Sequence, residues 1–189
     1  NILSRIRAVK TLRKAEADVD DPNNLAAVIL EKHHRPGTRT LVVLNTVSRA
    51  VGLYTALNRK NPKAKLILVH SRFRPPDREK LVDELRNEPE PDSEGTIVVS
   101  TQVVEAGVDI SAEVVFTELA PWPSLVHRFG RCNRSGKSDS SEVYWIDVPT
   151  GTKGSALPYT ENELEEARKV LQGMDQKSVG PDRLPEVTQ

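Results

Sequence analysis

Cysteine occurs once in the 189 residues, at Cys132. That excludes an internal disulfide framework and a cysteine-built metal site. No apolar run approaches the ~18 residues that cross a bilayer, so no membrane partner is expected. Neither sign of charge is in excess, with 27 Lys and Arg against 27 Asp and Glu. This argues against wholesale wrapping of nucleic acid and leaves a local basic groove open. There is no G-x-x-x-x-G-K-[ST] loop to cradle phosphates, no D-E-x-x element for magnesium, no His-Asp cluster for a metal-dependent nuclease and no internal repeat. His33 and His34 are adjacent, so on a helix they point apart and cannot chelate one ion together. The chain begins at Asn1 without a methionine, and Arg5, Arg7 and Lys10 interrupt its early apolar residues, unlike a signal peptide. It reads as a fragment or processed product of something longer. Its 37% hydrophobic content supports one core, leaner than the usual ~45–50% apolar composition.

What is present has a rhythm. Thr40–Leu44, Lys65–Val69, Thr96–Val99, Val114–Phe116 and Val143–Ile146 are short, continuous apolar runs. None alternates strictly, which suits strands buried on both faces of a parallel sheet. Helical patterns separate them. Val47 to Arg59 carries Val47, Ala50, Val51, Tyr54 and Leu57 on one side, Pro76 to Arg86 carries Leu81, Val82 and Leu85, and Trp122 to Cys132 is a third candidate. Alternating strands and helices predict right-handed crossovers and a doubly wound α/β sandwich over residues 37–150.

The flanks read differently. Ile2, Ile6, Val9 and Arg13 predict a basic amphipathic helix over residues 1–14. A second helix is expected from Asp21-Pro22, a cap followed by proline at the first helical position, to just before Pro36-Gly37. Residues 1–36 would be an N-terminal helical segment or interdomain connection. Residues 151–189 would hold a helix from Glu161 to Gln172, capped by Thr160 with Glu163 three residues on, and a loose tail from Lys177 to Gln189.

Ligands of open α/β sheets bind beyond the carboxyl ends of the strands. Those exits hold Asn45-Thr46-Val47-Ser48, His70-Ser71-Arg72-Phe73-Arg74 and Ser100-Thr101-Gln102, then Glu105 to Asp109. Hydroxyls and helix N-termini donate to phosphates, and arginine forks onto anionic oxygens. His127-Arg-Phe-Gly-Arg-Cys-Asn-Arg134 places three arginines in seven residues on an expected helix, with Arg128, Arg131 and Arg134 on one face. Converging guanidinium groups suit a polyphosphate or the charge that develops in phosphoryl transfer. Gly130 removes a side chain beside them. The plainer alternatives are a surface helix with paired arginines, an Asx-turn at Asp109, a strand-end hydroxyl at Thr101, a solvated acid at Glu105 and a small half-buried filler at Cys132.

Ser100-Thr-Gln-Val-Val-Glu-Ala-Gly-Val-Asp-Ile-Ser111 and the 127–134 segment resemble motifs V and VI of superfamily 2 helicases, in the order and separation of their second RecA-like domain. With Glu118-Leu-Ala-Pro121 and Gly130-Arg-Cys-Asn-Arg134, the pattern is similar to the CRISPR-associated helicase-nuclease of type I interference systems. His70-Ser-Arg-Phe73 resembles motif IVa of that family, and Leu44-Asn-Thr46 its motif IV. Position 127 is His where most of that branch carries Gln; both donate hydrogen bonds.

The resemblance implies a RecA-like three-layer sandwich with a mostly parallel central sheet flanked by helices. It implies that Arg131 and Arg134 reach the ATP phosphates, Arg131 as arginine finger. Gly107, Asp109, His127, Arg128 and Gly130 would line the nucleotide, and Thr46, Ser71, Arg72 and Thr101 would touch single-stranded DNA. Magnesium would be held by an N-terminal RecA-like domain of the same protein, which carries the missing phosphate loop. The other implied partners are single-stranded DNA and a CRISPR surveillance complex, in a cytoplasmic setting, and the fragment alone would hydrolyse no ATP. The rival expectations are another superfamily 2 helicase acting on RNA or duplex DNA, and a non-catalytic nucleic-acid-binding RecA-like module.

Overall fold

The computed structural model describes residues 9–33, 36–105, 108–138, 140–151, 154–174, 177–180 and 184. Strands β1 (Lys10–Lys14), β2 (Arg39–Val43), β3 (Lys65–Val69), β4 (Thr96–Ser100), β5 (Val114–Glu118) and β6 (Ser141–Ile146) form one sheet. Their order is β1-β6-β5-β2-β4-β3, and every pairing is parallel. Helices α1 (Pro22–Lys32) and α2 (Val47–Arg59) cover one face. Helices α3 (Pro75–Arg86), α4 (Trp122–Phe129) and α5 (Glu161–Met174) cover the other. This is the expected three-layer α/β sandwich.

The continuous apolar runs have the anticipated cause. Leu41 and Val43 enter one core while Val42 and Leu44 enter the other, and in β4 Val98 opposes Ile97 and Val99 in the same way. A strand covered on both sides buries every residue, so the in-out alternation of a half-exposed strand is lost.

Helix boundaries follow local chemistry. The Asp21 carboxylate accepts from Asn23 N and Asn24 N, each at 3.0 Å, with Pro22 opening α1. Thr160 and Glu163 form the reciprocal box, Glu163 taking the Thr160 N–H at 2.9 Å and Thr160 Oγ1 the Glu163 N–H at 3.3 Å. Helix α2 buries Ala50, Leu53, Ala56 and Leu57, whereas Val51 is exposed. Its inward face is therefore rotated from the expected one.

Four expectations are corrected. Lys10–Lys14 is a strand, where a helix was expected; residues 1–8 of that stretch lie outside the described residues. Its one apolar residue, Leu12, is fully buried, worth ~1.5–3 kcal/mol, and its backbone pairs in register with Ser141 to Trp145. Next, β1 and α1 join the sheet and its core, and α5 packs on the opposite face, so both cores run past the 37–150 limits. Third, the tail is anchored where it is described. Leu12 N donates to Lys177 O at 3.0 Å and Val179 N to Lys10 O at 2.8 Å, covering the open edge of β1, and Val179 is buried. Finally, α4 ends at Phe129.

Candidate nucleotide and nucleic-acid site

Because the strands are parallel, the exits of β2, β4 and β3 lie side by side at one sheet edge. Thr46, Ser71, Arg72 and Thr101 all stand there. Ser71 and Arg72 are exposed, in the turn before α3. Half-buried Thr46 caps α2, its Oγ1 accepting from Arg49 N at 3.3 Å. Thr101 is only 2% exposed, so it lies beneath this edge and a strand contact would require uncovering it.

The arginine segment is arranged differently from one helical face. Gly130 ends α4 in right-handed geometry, and Asn133 then takes a positive φ of 44°. Asn133 tolerates this because its amide grips the loop, Nδ2 donating to Ser138 O at 2.7 Å and Oδ1 accepting from Ser138 N at 3.1 Å. Arg131 and Arg134 thus follow the helix instead of lying on it. Their backbone runs beside the entry to β5, with Ala112 N donating to Arg131 O at 3.0 Å and Asn133 N to Ala112 O at 2.8 Å. That is the amino edge of the sheet, opposite the exits where sequence reasoning placed all ligand groups.

The covalent link between the two edges is the crossover from Thr101 to Glu113, which opens with a 3-10 turn at Gln102–Val104. Val104, Val108, Ile110 and Ala112 pin it to the sheet face that also carries α4. Each arginine bonds this crossover. Arg128 Nε donates to Glu105 Oε1 at 2.8 Å, Arg131 Nη2 to Glu105 O at 2.8 Å, and Arg134 Nε pairs with Asp109 Oδ1 at 2.6 Å. The Arg134 N–H also donates to Ser111 Oγ at 3.0 Å.

The three differ sharply in environment. Arg128 is 0% exposed. Besides Glu105, its guanidinium donates to Asn45 Oδ1 at 3.2 and 3.1 Å, to Thr117 Oγ1 and Glu118 O at 3.0 Å each, and to Tyr159 OH at 3.4 Å. Every donor is committed inward, so a nucleotide contact by Arg128 would require breaking these bonds. Arg134 is the opposite case. Its side chain is 42% exposed and its partner Asp109 75%, a surface pair worth ~0–1 kcal/mol. Arg131 is 8% exposed, and its buried Nε has no hydrogen-bond partner among the described residues. Burial, then the neighbouring Arg134 charge, pulls its pKa down, against Asp109 and Glu105. A guanidinium stays protonated regardless, so this is a cation short of counter-charge.

Of the remaining expected residues, His127 is exposed. Gly130 leaves room near the turn, where an added Cβ would stand 3.2 Å from His127 O. Gly107 lies outside the described residues. Cys132, expected as a half-buried filler, is fully buried at 0% exposure, and burial pushes its thiol up to about 12.

Sequence reasoning missed the hub below Arg128. The Glu118 carboxylate, fully buried at the end of β5, accepts Asn45 N at 2.7 Å and pairs with Arg49, which also holds Asp20 at 2.9 Å and Ser155 O at 3.1 Å. Burial raises the Glu118 pKa; Arg49, the Asn45 N–H and Arg128 oppose it. Asn45 and Glu118 were visible as polar residues at the ends of apolar strands. Nothing in the sequence marked Arg49, one turn into α2.

Comparison with known proteins places this geometry. The model of the family described as CRISPR-associated nuclease/helicase Cas3, C-terminal, matches residues 36–137. A CRISPR-associated helicase Cas3 of Thermoproteus tenax is 31% identical over 137 residues, 72% of this chain and 22% of that protein. The crystal structure of T. fusca Cas3-AMPPNP superposes with a TM-score of 0.78 at 21% identity, covering 94% of this chain and 23% of that one. A chain in a structure of a CRISPR RNA-guided surveillance complex, pre-nicking, superposes with a TM-score of 0.72 at 20% identity, covering 92% and 23%. The chain spans about a fifth of the length of the curated relatives it matches. It belongs to the family of the Cas3 nuclease/helicase C-terminal domain, with a RecA-like α/β fold.

Proposed function

We propose that this chain is the C-terminal motor domain of an ATP-dependent DNA helicase or translocase of CRISPR interference, an antiviral system. It would supply arginine fingers and single-stranded DNA contacts. The observation that carries this is Arg131, a buried guanidinium with an orphaned Nε and, among the described residues, no carboxylate bonded to it. Such a group is costly to leave unmatched, and a phosphate that reached it as the loop opens on domain closure would satisfy it. The ATP phosphates and magnesium would be presented by an N-terminal RecA-like domain of the same protein.

In this reading, closure of two RecA-like domains brings the arginine loop to the phosphates. Arg134 exchanges Asp109 for a phosphate oxygen, which is inexpensive because their pair is exposed. Among the described residues Arg131 needs no release from a carboxylate, but its buried Nε must be uncovered on closure before it can donate. His127, exposed one turn earlier, can add a hydrogen bond. Thr46, Ser71 and Arg72 offer hydroxyl and cationic groups to a DNA backbone without reading its sequence. A CRISPR surveillance complex is the proposed assembly, supported by the structural likeness to a chain in such a complex. The chain alone should hydrolyse no ATP.

The test is Arg131→Ala in the intact parent protein. ATP turnover should fall by roughly 10³–10⁵, the range of measured arginine fingers. Near-normal turnover would remove Arg131 from that role.

A further inference from the structure

We propose that Glu105 is the positioning residue for Arg131, acting through two different parts of itself; this rests on the ATPase reading above. Its carboxylate accepts Arg128 Nε at 2.8 Å, and its main-chain carbonyl accepts Arg131 Nη2 at 2.8 Å. Arg128 is immobilised by Asn45, Thr117, Glu118 O and Tyr159. The fixed point is thus inside the domain, and Glu105 carries it outward to the guanidinium that meets the nucleotide.

Little else holds either end. Among the described residues, Glu105 O is the one hydrogen-bond partner of the Arg131 guanidinium. The Glu105 backbone is otherwise tied by its N–H to Gln102 O at 2.9 Å, closing a turn of three residues. Gln102 is itself held by Nε2 donating to Asn45 O at 2.8 Å. Asn45 therefore anchors both the turn and Arg128, and Glu105 joins the two anchors at one peptide. Without the carboxylate, the turn keeps its own bonds but loses its link to Arg128. The carbonyl can then drift, and Arg131 with it. Glu105 touches no reacting atom, so its effect should appear in turnover and not in ATP binding.

The test is steady-state ATP hydrolysis by the intact parent protein with single-stranded DNA. Four forms are compared: wild type, Glu105→Gln, Arg131→Ala and the double variant. Glu105→Gln should lower kcat by about 10- to 100-fold, the scale of an ångström-sized misplacement, with KM for ATP within about threefold. In the Arg131→Ala background the same change should cost less than about twofold, because there is no guanidinium left to position. If Glu105→Gln slows Arg131→Ala by the same factor as wild type, Glu105 acts elsewhere and the proposal is overturned, while the ATPase reading stands. If Arg131→Ala turns over normally, the ATPase reading fails and this proposal falls with it. Should Glu105→Gln not fold, Glu105→Asp keeps the charge and shortens the reach; it should lower kcat by roughly 3- to 10-fold, again only with Arg131 present. Wild-type kcat in Glu105→Asp would overturn the proposal.

Discussion

Replacing Arg128 with alanine separates a buried strut from a nucleotide ligand. The side chain is 0% exposed and its ion-pair partner Glu105 is 16% exposed, so this is an interior pair with little solvent screening. Removing one partner of such a pair costs about 3–5 kcal/mol, because the other charge stays buried. Asn45 Oδ1 would also lose both of its guanidinium donors, an orphaned buried acceptor worth a further ~1–3 kcal/mol. Water entering the vacated space would recover part of this, so a net loss of about 4 kcal/mol is expected. For a chain of this size each kcal/mol moves the melting point by ~2–4 °C, which places the shift near 8–16 °C. Thermal and urea unfolding of the chain, followed by circular dichroism, would measure it.

The pH dependence has a definite sign. Burial already raises the Glu118 pKa above its ordinary 4.5, and Arg128 is one of the groups opposing that rise. Losing Arg128 raises it further. A carboxyl whose folded pKa exceeds its unfolded value lowers stability above the folded pKa and does not below the unfolded one. The variant's deficit should therefore be widest at neutral pH and narrow as pH falls towards 4.5. Arg128→Lys should be intermediate, since one ammonium cannot reproduce a forked set of contacts. A shift below ~1 kcal/mol for Arg128→Ala, with a raised KM for ATP in the parent protein, would refute the strut and restore Arg128 as a ligand.

Two further outcomes follow from the same geometry. Asp147 is partly buried, which pushes its pKa up, but Lys14 Nζ and Arg168 Nε, each at 2.8 Å, outweigh this and hold it below the ordinary 3.8. Asp147→Asn should melt lower than wild type at pH 7, and the difference should close as pH falls through and below 3.8; a gap that persists in acid would contradict the assignment. Cys132, with its thiol at about 12 and no exposure, should resist alkylation at pH 8 in the folded chain and react after denaturation; rapid native labelling would show that the segment after α4 opens from the entries to β5 and β6.

The fold was legible wherever local pattern and tertiary burial agree. Five apolar runs became five strands, and the caps at Asp21 and Thr160 mark helix starts as expected. Strand β1 was not legible, because Lys10-Thr-Leu-Arg-Lys14 carries one apolar side chain and its hydrogen-bond partners lie at 141–145 and 177–179. A helical spacing of Ile2, Ile6, Val9 and Arg13 says nothing about those distant partners.

The site divides along the same line. By itself the sequence singled out the candidate segments, since the 100–111 and 127–134 motifs are contiguous and their residue types suit phosphate and backbone recognition. Only the tertiary structure decided how each arginine is buried and paired. Three guanidinium groups spaced three apart look equivalent in a linear pattern. In the folded chain one is sealed against Glu105 and Asn45, one is half-satisfied and buried, and one rests in an exposed pair with Asp109. The physical reason is that the role of a charge depends on its desolvation and its partners. Those partners come from strands and crossovers up to 83 residues away along the chain.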